Sequence, residues 1–241
     1  MPDSRQHRGP HPQDRQLFSG EHRHALRQAT ADLGWLLTKG YASTSALKLV
    51  GDRYRLTARQ RLAVSRCACG EEQRDQRRQH CVGAADLEHR ELWIDGYNVL
   101  TSVEAALAGM VILHAQDACF RDMASMHGNY RTVKETMPAI RLLGQLLSQW
   151  KVSVCRWYLD APVSNSGRLK SLLQKMADEY DWAWSVELVA DPDPILTCSG
   201  QVVASADSQI IDKAQCWFNL AREVIESEIP DAWVLDLSND Q

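Results

Sequence analysis

The chain lacks any apolar run long enough to cross a bilayer. Its longest, "AALAGMVIL" from Ala105 to Leu113, falls far short of the roughly 20 residues a membrane-spanning helix needs, so no membrane partner is expected. The amino terminus, "MPDSRQHRGPHPQDRQ", lacks the apolar core of a signal peptide and reads as a disordered leader over residues 1–20. An excess of positive charge is missing too. A net charge of -4 advertises no global basic field, which counts against a dedicated nucleic-acid binder but hardly against a nuclease with local basic patches. There is no internal repeat, and no G-x-S-x-G elbow that would set up a serine nucleophile. Seven Cys without a secretion signal read most simply as reduced thiols, and the expected compartment is the cytoplasm.

What is present divides into two parts. Between Glu21 and Cys67 the apolar spacing is helical: Leu26, Ala29, Leu33 and Leu36 or Leu37 recur at three to four residues, and Gly40 reads as a stop. Ser43 or Thr44 and then Thr57 offer N-caps for two further helices. Residues 21–68 therefore form a small all-α unit. Residues 69–86, dense in charge, read as a linker or an exposed helix, and residues 87–241 as a second domain. There, short β-rich runs ("ELWIDG", "GMVILH", "VSVCRWYLD", "WSVELVA", "QVVASAD", "AWVLDL") alternate with helical stretches. The helices are marked by Met137 to Trp150, by "SGRLKSLLQKMADEY", and by "DSQIIDKAQCWFNLAREVIESE" read as one helix. Such alternation predicts an α/β layered fold with a mostly parallel central sheet.

Ligands of an open parallel sheet bind beyond the carboxyl ends of its strands, and acids recur there. Asp95 ends "LWID", Asp160 ends "VCRWYLD", Asp207 follows "VVAS", and Asp236, the weakest of the set, ends "WVLD". Any one of them could simply start a turn or cap a helix. Three carboxylates gathered at one rim repel one another unless a cation offsets the charge, and Mg²⁺ or Mn²⁺ is the natural offset for oxygen donors. Such an ion orients a phosphodiester and activates water.

At these residues the chain resembles a known group of sequences. "IDGYNVL" is similar to the first motif of PIN-like and NYN nuclease domains, and "VVASADSQII" to their later acidic motif. "TKGYASTSALKLVGDRYRLTARQR", "DACFRDMASMHGNYR" and "LDAPVSNSGRL" are similar to an uncharacterised prokaryotic family, domain of unknown function 434, in which a helical unit precedes a PIN-like domain. The resemblance implies that Asp95 is the first metal-site acid, with Asn98 orienting it or a bound phosphate. Asp207 would be a later acid, supported by Ser205. The family pattern has an acid and a glycine where Gln116 and Ala118 stand, which weakens a metal role for that loop.

Other groups carry paired readings. Glu104 is a further metal ligand or a solvated helix glutamate. Asp117 and Arg121 are an i,i+4 ion pair or part of a phosphate site, and Asp117 and Asp122 are further metal-ligand candidates. Ser164 and Ser166, before a helix, are a phosphate seat or plain caps. Cys67, Cys69, His80 and Cys81 lack paired-ligand spacing, so zinc is disfavoured. His127, Tyr130 and Arg131 touch substrate or simply pack. An aspartyl-nucleophile phosphatase is disfavoured as well, since Tyr97 stands where its second acid belongs. The leading expectation is a Mg- or Mn-dependent ribonuclease of PIN-like type, acting on RNA rather than DNA, with Asp95, Asp160 and Asp207 as its acids. The alternative is an inactive PIN-like module that binds RNA or a protein. A protein partner or a homo-oligomer completes the expected set of partners.

Overall fold

The computed structural model describes residues 9–124 and 129–238. The amino-terminal third runs α1 (Asp14–Leu17), α2 (Gly20–Thr38), α3 (Ser43–Arg53), α4 (Ala58–Cys67) and α5 (Glu71–His80). After a short 3₁₀ turn at Ala84–Leu87 come β1 (Glu91–Asp95), α6 (Gly96–Leu107), β2 (Ile112–His114), β3 (Phe120–Asp122), α7 (Thr136–Gln149) and β4 (Val154–Asp160). The remainder is α8 (Ser166–Tyr180), β5 (Trp184–Val189), α9 (Pro192–Thr197), β6 (Val202–Ala204), α10 (Ser208–Ile211), β7 (Cys216–Phe218), α11 (Leu220–Glu228) and β8 (Val234–Asp236).

Five strands form an all-parallel sheet in the order β5-β4-β1-β6-β7, so the fold is α/β as expected. Alternation along β1 explains its central place. Leu92 and Ile94 enter the main core with α6, α7, α8 and α11, while Trp93 packs on the opposite face near α9 and α10. The chain leaves β1 toward one side of the sheet, builds β4 and β5, and returns to lay β6 on the other side of β1. The order of strands reverses between β1 and β6, where such a sheet opens a crevice at its carboxyl edge.

A second sheet, β3-β2-β8, pairs β2 antiparallel to β3 and parallel to β8. Ile112 faces the cluster with Ala105, Ala106 and Phe120, whereas Leu113 faces α2 and α4. The helical unit of residues 21–68 thus shares its core with this sheet: Leu26, Leu33, Val50 and Val64 pack with Val111, Leu113, Leu235 and Leu237. Thr57 caps α4 in a capping box with Gln60. Ser43 is the first residue of α3, whose cap position is Ala42.

Several expectations need correction. The leader of residues 1–20 is structured in its last third: Asp14 is fully buried and ion-paired with Arg59, and Phe18 joins the core. Residues 1–8 of that leader lie outside the described residues. Of the two readings for residues 69–86, a linker or an exposed helix, the structure has a helix, α5, but its Arg77 is buried. Residues 208–228 are two helices separated by β7, because the three-residue run Cys216–Phe218 pairs with β6 and Trp217 fills the core. Met137 is exposed rather than inward. Among the described residues no helix is long and apolar enough to cross a membrane.

Candidate functional site

The β1–α6 junction answers why an Asp-Gly pair ends an apolar strand. Asp95 is the last residue of β1 and the N-cap position of α6. A Cβ on Gly96 would lie 2.5 Å from Leu159 Cδ2 and 3.0 Å from the Tyr158 carbonyl oxygen. Glycine is therefore required for α6 to start this close to β4, and the tight exit leaves the Asp95 carboxyl at the crevice mouth, only 8% exposed.

Across the crevice the loop after β6 is tied to the same place. Ser205 Oγ donates to Asp95 Oδ2 at 2.8 Å and accepts from the Asp207 amide at 3.0 Å. Asn98 Oδ1 accepts from the Ala206 amide at 2.8 Å. Asp207 Oδ1 caps α10 by accepting from the Gln209 amide at 2.8 Å. The two strands at the switch point are thereby locked in register by side chains as well as by the sheet.

A cleft of about 760 Å³ opens there, and Asp95, Asp160, Asp193 and Asp207 all line it. Burial pushes the Asp95 carboxyl up to about 7, and the negative charges of Asp207, Asp160 and Asp193 act in the same direction against the Ser205 hydrogen bond. Burial also raises Asp160, with Asp191 adding to it, and raises Asp193, with Asp191, Asp207 and Asp160 adding to it. These carboxylates disturb one another without a matching set of cations, the electrostatic condition that a bound cation relieves. Tyr97, on the first turn of α6, lines the same cleft; its hydroxyl is buried and has no hydrogen-bond partner among the described residues, and burial lifts it to about 12. Among the described residues no three His, Cys, Asp or Glu side chains stand together at metal-holding spacing. The acids ring the cleft rather than close on one point.

Asp193 was not among the sequence candidates. It lies four residues after the end of β5, so the strand-end rule that picked out Asp95 reaches it once the Asp-Pro-Asp-Pro turn is followed into α9.

Five of the sequence candidates are not among the residues that line the cleft: Ser205, which sits behind Asp95 and the Asp207 amide, and four that serve the fold or lie elsewhere. Glu104 is fully buried and accepts from the Tyr130 and Thr136 hydroxyls. Nine residues beyond Asp95 on a helix is about two and a half turns, which points it to the opposite face. Asp117 is buried between two guanidinium groups: Arg77 Nη1 at 2.6 Å, and Arg121 at 2.9 and 2.7 Å. Those cations hold it far below the usual carboxylate range although burial acts the other way. Ser164 is exposed on the loop before α8, and Ser166 is buried, its Oγ donating to the Ala161 carbonyl at 3.1 Å.

Arg121 and Asp122 line the cleft, but local partners hold them. Arg121 Nε donates to the Ala206 carbonyl at 2.8 Å, while its other nitrogens serve Asp117 and the Arg66 carbonyl. Arg121 thus fixes the loop that carries Asp207 rather than waiting for a phosphate. Asp122 accepts from the Ala124 amide at 2.6 Å and the Ser102 hydroxyl at 3.0 Å. Tyr130 packs on Tyr97 and bonds Glu104; His127 lies outside the described residues. Asp236 pairs with Arg27.

Comparison with known proteins places this arrangement in a family. Residues 84–223 match the family described as Domain of unknown function (DUF5616), and residues 25–80 match Protein of unknown function (DUF434). The chain is also similar to an uncharacterized protein of Methanocaldococcus jannaschii, 29% identical over 204 residues, a stretch that covers 84% of this chain and 97% of that protein. No solved structure matches the chain.

Proposed function

We propose that this chain, which belongs to the DUF5616 family of unknown function, is a divalent-metal-dependent phosphodiesterase of PIN-like type that acts on RNA. One observation carries the reading: a buried carboxyl, Asp95, is pushed up to about 7 at the strand-order reversal of a parallel sheet, with three further carboxylates around the same cleft.

The donor set suits a hard cation. It is all carboxylate oxygen in an open cleft, and Mg²⁺ in particular keeps most of its waters, taking one or two carboxylates plus substrate phosphate. Four acids that ring a cleft match that demand better than a closed cage. Asp95 and Asp207 would hold the ion, with Asp160 and Asp193 on its outer waters. A bound ion would supply a polarised phosphodiester and an activated water. Ser205 holds the Asp95 carboxyl and the Asp207 amide through one hydroxyl, and Asn98 and Arg121 hold the Ala206 backbone from either side.

The test is cleavage of a fluorescent single-stranded RNA in Mn²⁺, comparing wild type with Asp95→Asn. Activity is expected in the first and lost in the second. Equal activity in both, or none in either under any divalent ion, would end the proposal. A second reading, an inactive module that binds RNA or protein, is favoured by the absence of three preassembled ligands among the described residues. It expects RNA affinity with no metal response.

A further inference from the structure

The lining of the cleft is unbalanced in charge, and the imbalance remains after its ions are paired. Six aspartates line it, Asp95, Asp122, Asp160, Asp193, Asp207 and Asp212, against three cations, Arg66, Arg77 and Arg121. Each of the three is already committed. Arg77 bonds Asp117 and Asp212, both at 2.6 Å. Arg121 grips Asp117 and donates to the Ala206 and Arg66 carbonyls. Arg66 donates to the Asp122 and Ala124 carbonyls, with the Asp122 carboxyl 4.0 Å away. Among the described residues no Lys or Arg stands within ion-pairing distance of Asp95, Asp160, Asp193 or Asp207.

The helical unit does not redress this. Residues 21–68 hold nine Lys and Arg against three Asp and Glu, yet Arg66 alone of the nine lines the cleft. The other lining side chains of that unit, Leu33, Leu37, Ser43, Ser65 and Ala68, are neutral. The amino end of α5 reaches the lining at Gly70, but Glu71 and Glu72 stand in its first turn and the Glu71 amide donates to Thr38 Oγ1 at 3.0 Å. The positive helix end is thereby offset. Lys213 acts on Asp193 through its charge but is exposed and outside the lining. One acceptor stays open in this field. Asp95 Oδ2 takes the Ser205 hydroxyl, whereas Oδ1 takes no hydrogen bond among the described residues and is not sealed from the cleft.

We infer that Asp95, Asp160, Asp193 and Asp207 impose a cation-first order on the cleft: they keep nucleic acid out of the bare site and admit its phosphates only once a divalent ion is bound. This rests on the phosphodiesterase reading and adds the sequence in which its two ligands bind. A phosphate brought among four uncompensated carboxylates meets repulsion, with no uncommitted guanidinium or ammonium in the lining to offset it. Two of those charges would be cancelled by one divalent ion, whose remaining waters phosphate oxygens can replace. Basic side chains outside the cleft can hold RNA against the surface, but they do not bring it to Asp95.

The test is fluorescence anisotropy of a labelled trinucleotide RNA, short enough to limit contacts outside the cleft, with the full chain in EDTA and in Mn²⁺. Gel electrophoresis checks the probe, and Ca²⁺ replaces Mn²⁺ wherever it is cut. Electron paramagnetic resonance reads Mn²⁺ binding without RNA. Mn²⁺ is expected to bind the chain alone and to tighten the trinucleotide by about a hundredfold, and the trinucleotide to tighten Mn²⁺ by the same factor. An uncharged methylphosphonate trinucleotide should gain nothing from the metal. A fourfold rise in salt should weaken the loaded complex by less than about tenfold, since few phosphates meet Lys or Arg. In the Asp95→Asn/Asp207→Asn variant the metal-driven gain should vanish; the wild-type comparison stands without it should that variant fail to fold. Equal affinity in EDTA and Mn²⁺ overturns the order, as does Mn²⁺ that binds only when RNA is present. Metal-dependent cleavage beside either result would leave the phosphodiesterase reading intact. Absence of both Mn²⁺ binding and cleavage removes that reading, and the order with it.

Discussion

Asp95 and Asp117 are both buried aspartates, and their surroundings drive them in opposite directions. Asp117 sits between Arg77 and Arg121, and Arg77 continues to Asp212 at 2.6 Å, so the charges alternate and cancel. Asp95 has a serine hydroxyl and three other acids in its field. The first arrangement holds α5, the β2–β3 hairpin and the residues after α10 together. The second stores unfavourable charge at the mouth of a crevice, which stability alone does not explain. Paired carboxylates build the fold; unpaired ones are left for a ligand.

This contrast can be broken by experiment. The largest effect belongs to the paired site: Asp117→Asn leaves buried Arg121 with no carboxylate and Arg77 with Asp212 alone, and should cost about 3–5 kcal/mol in urea unfolding. A loss under 1 kcal/mol would mean the network is ornamental. Asp95→Asn should do the reverse. The unfolded carboxyl titrates near the ordinary value of 3.8 and the folded one near 7. Between those pH values the folded state holds the extra proton, so wild-type stability in EDTA should fall as pH rises through that window, by up to about 4 kcal/mol, and then level off. The asparagine variant should show no such decline from this group, and would be the more stable protein at pH 8. An identical pH profile in the two proteins would remove Asp95 from the argument.

Next in size is the response to metal. Mn²⁺ at about a hundred times its dissociation constant should stabilise wild type by about 2.7 kcal/mol. The shift should be larger at pH 8 than at pH 5.5, because the cation needs the ionised acid. Thermal shift with Asp95→Asn and Asp193→Asn reads the difference, and a shift retained in both would place the cation elsewhere. The smallest effect is expected at Ser164, exposed on the loop before α8 and absent from the cleft lining. Ser164→Ala should change stability by no more than about 0.5 kcal/mol and leave the metal response intact.

How much of this could be read from residues alone follows from the range of each signal. The α/β class was legible because strand and helix periods alternate over long stretches, and Asp95 because an acid ending "LWI" is a local pattern. Arg77 was not legible. It lies in "QRRQH", whose composition describes a solvated helix, and only the distant Asp117 and Asp212 make it a buried one. β7 escaped because three residues carry no period. The i,i+4 spacing of Asp117 and Arg121 did announce their ion pair, but it forms across the β2–β3 turn and strand, not on a helix. Glu104 was misplaced by counting residues instead of degrees. Asp193 was missed because Ala190, Asp191 and Pro192 stand between strand end and acid, a displacement in sequence that space does not register.

The shared core between the helical unit and the β3-β2-β8 sheet has a consequence for dissection. Cutting the chain near residue 82 would bare the apolar face of that sheet and leave Asp117 with one of its two cations. Neither fragment would be a finished protein. Where evolution encodes these two segments as separate polypeptides, they should be found as an obligate heterodimer, each insoluble until it meets the other.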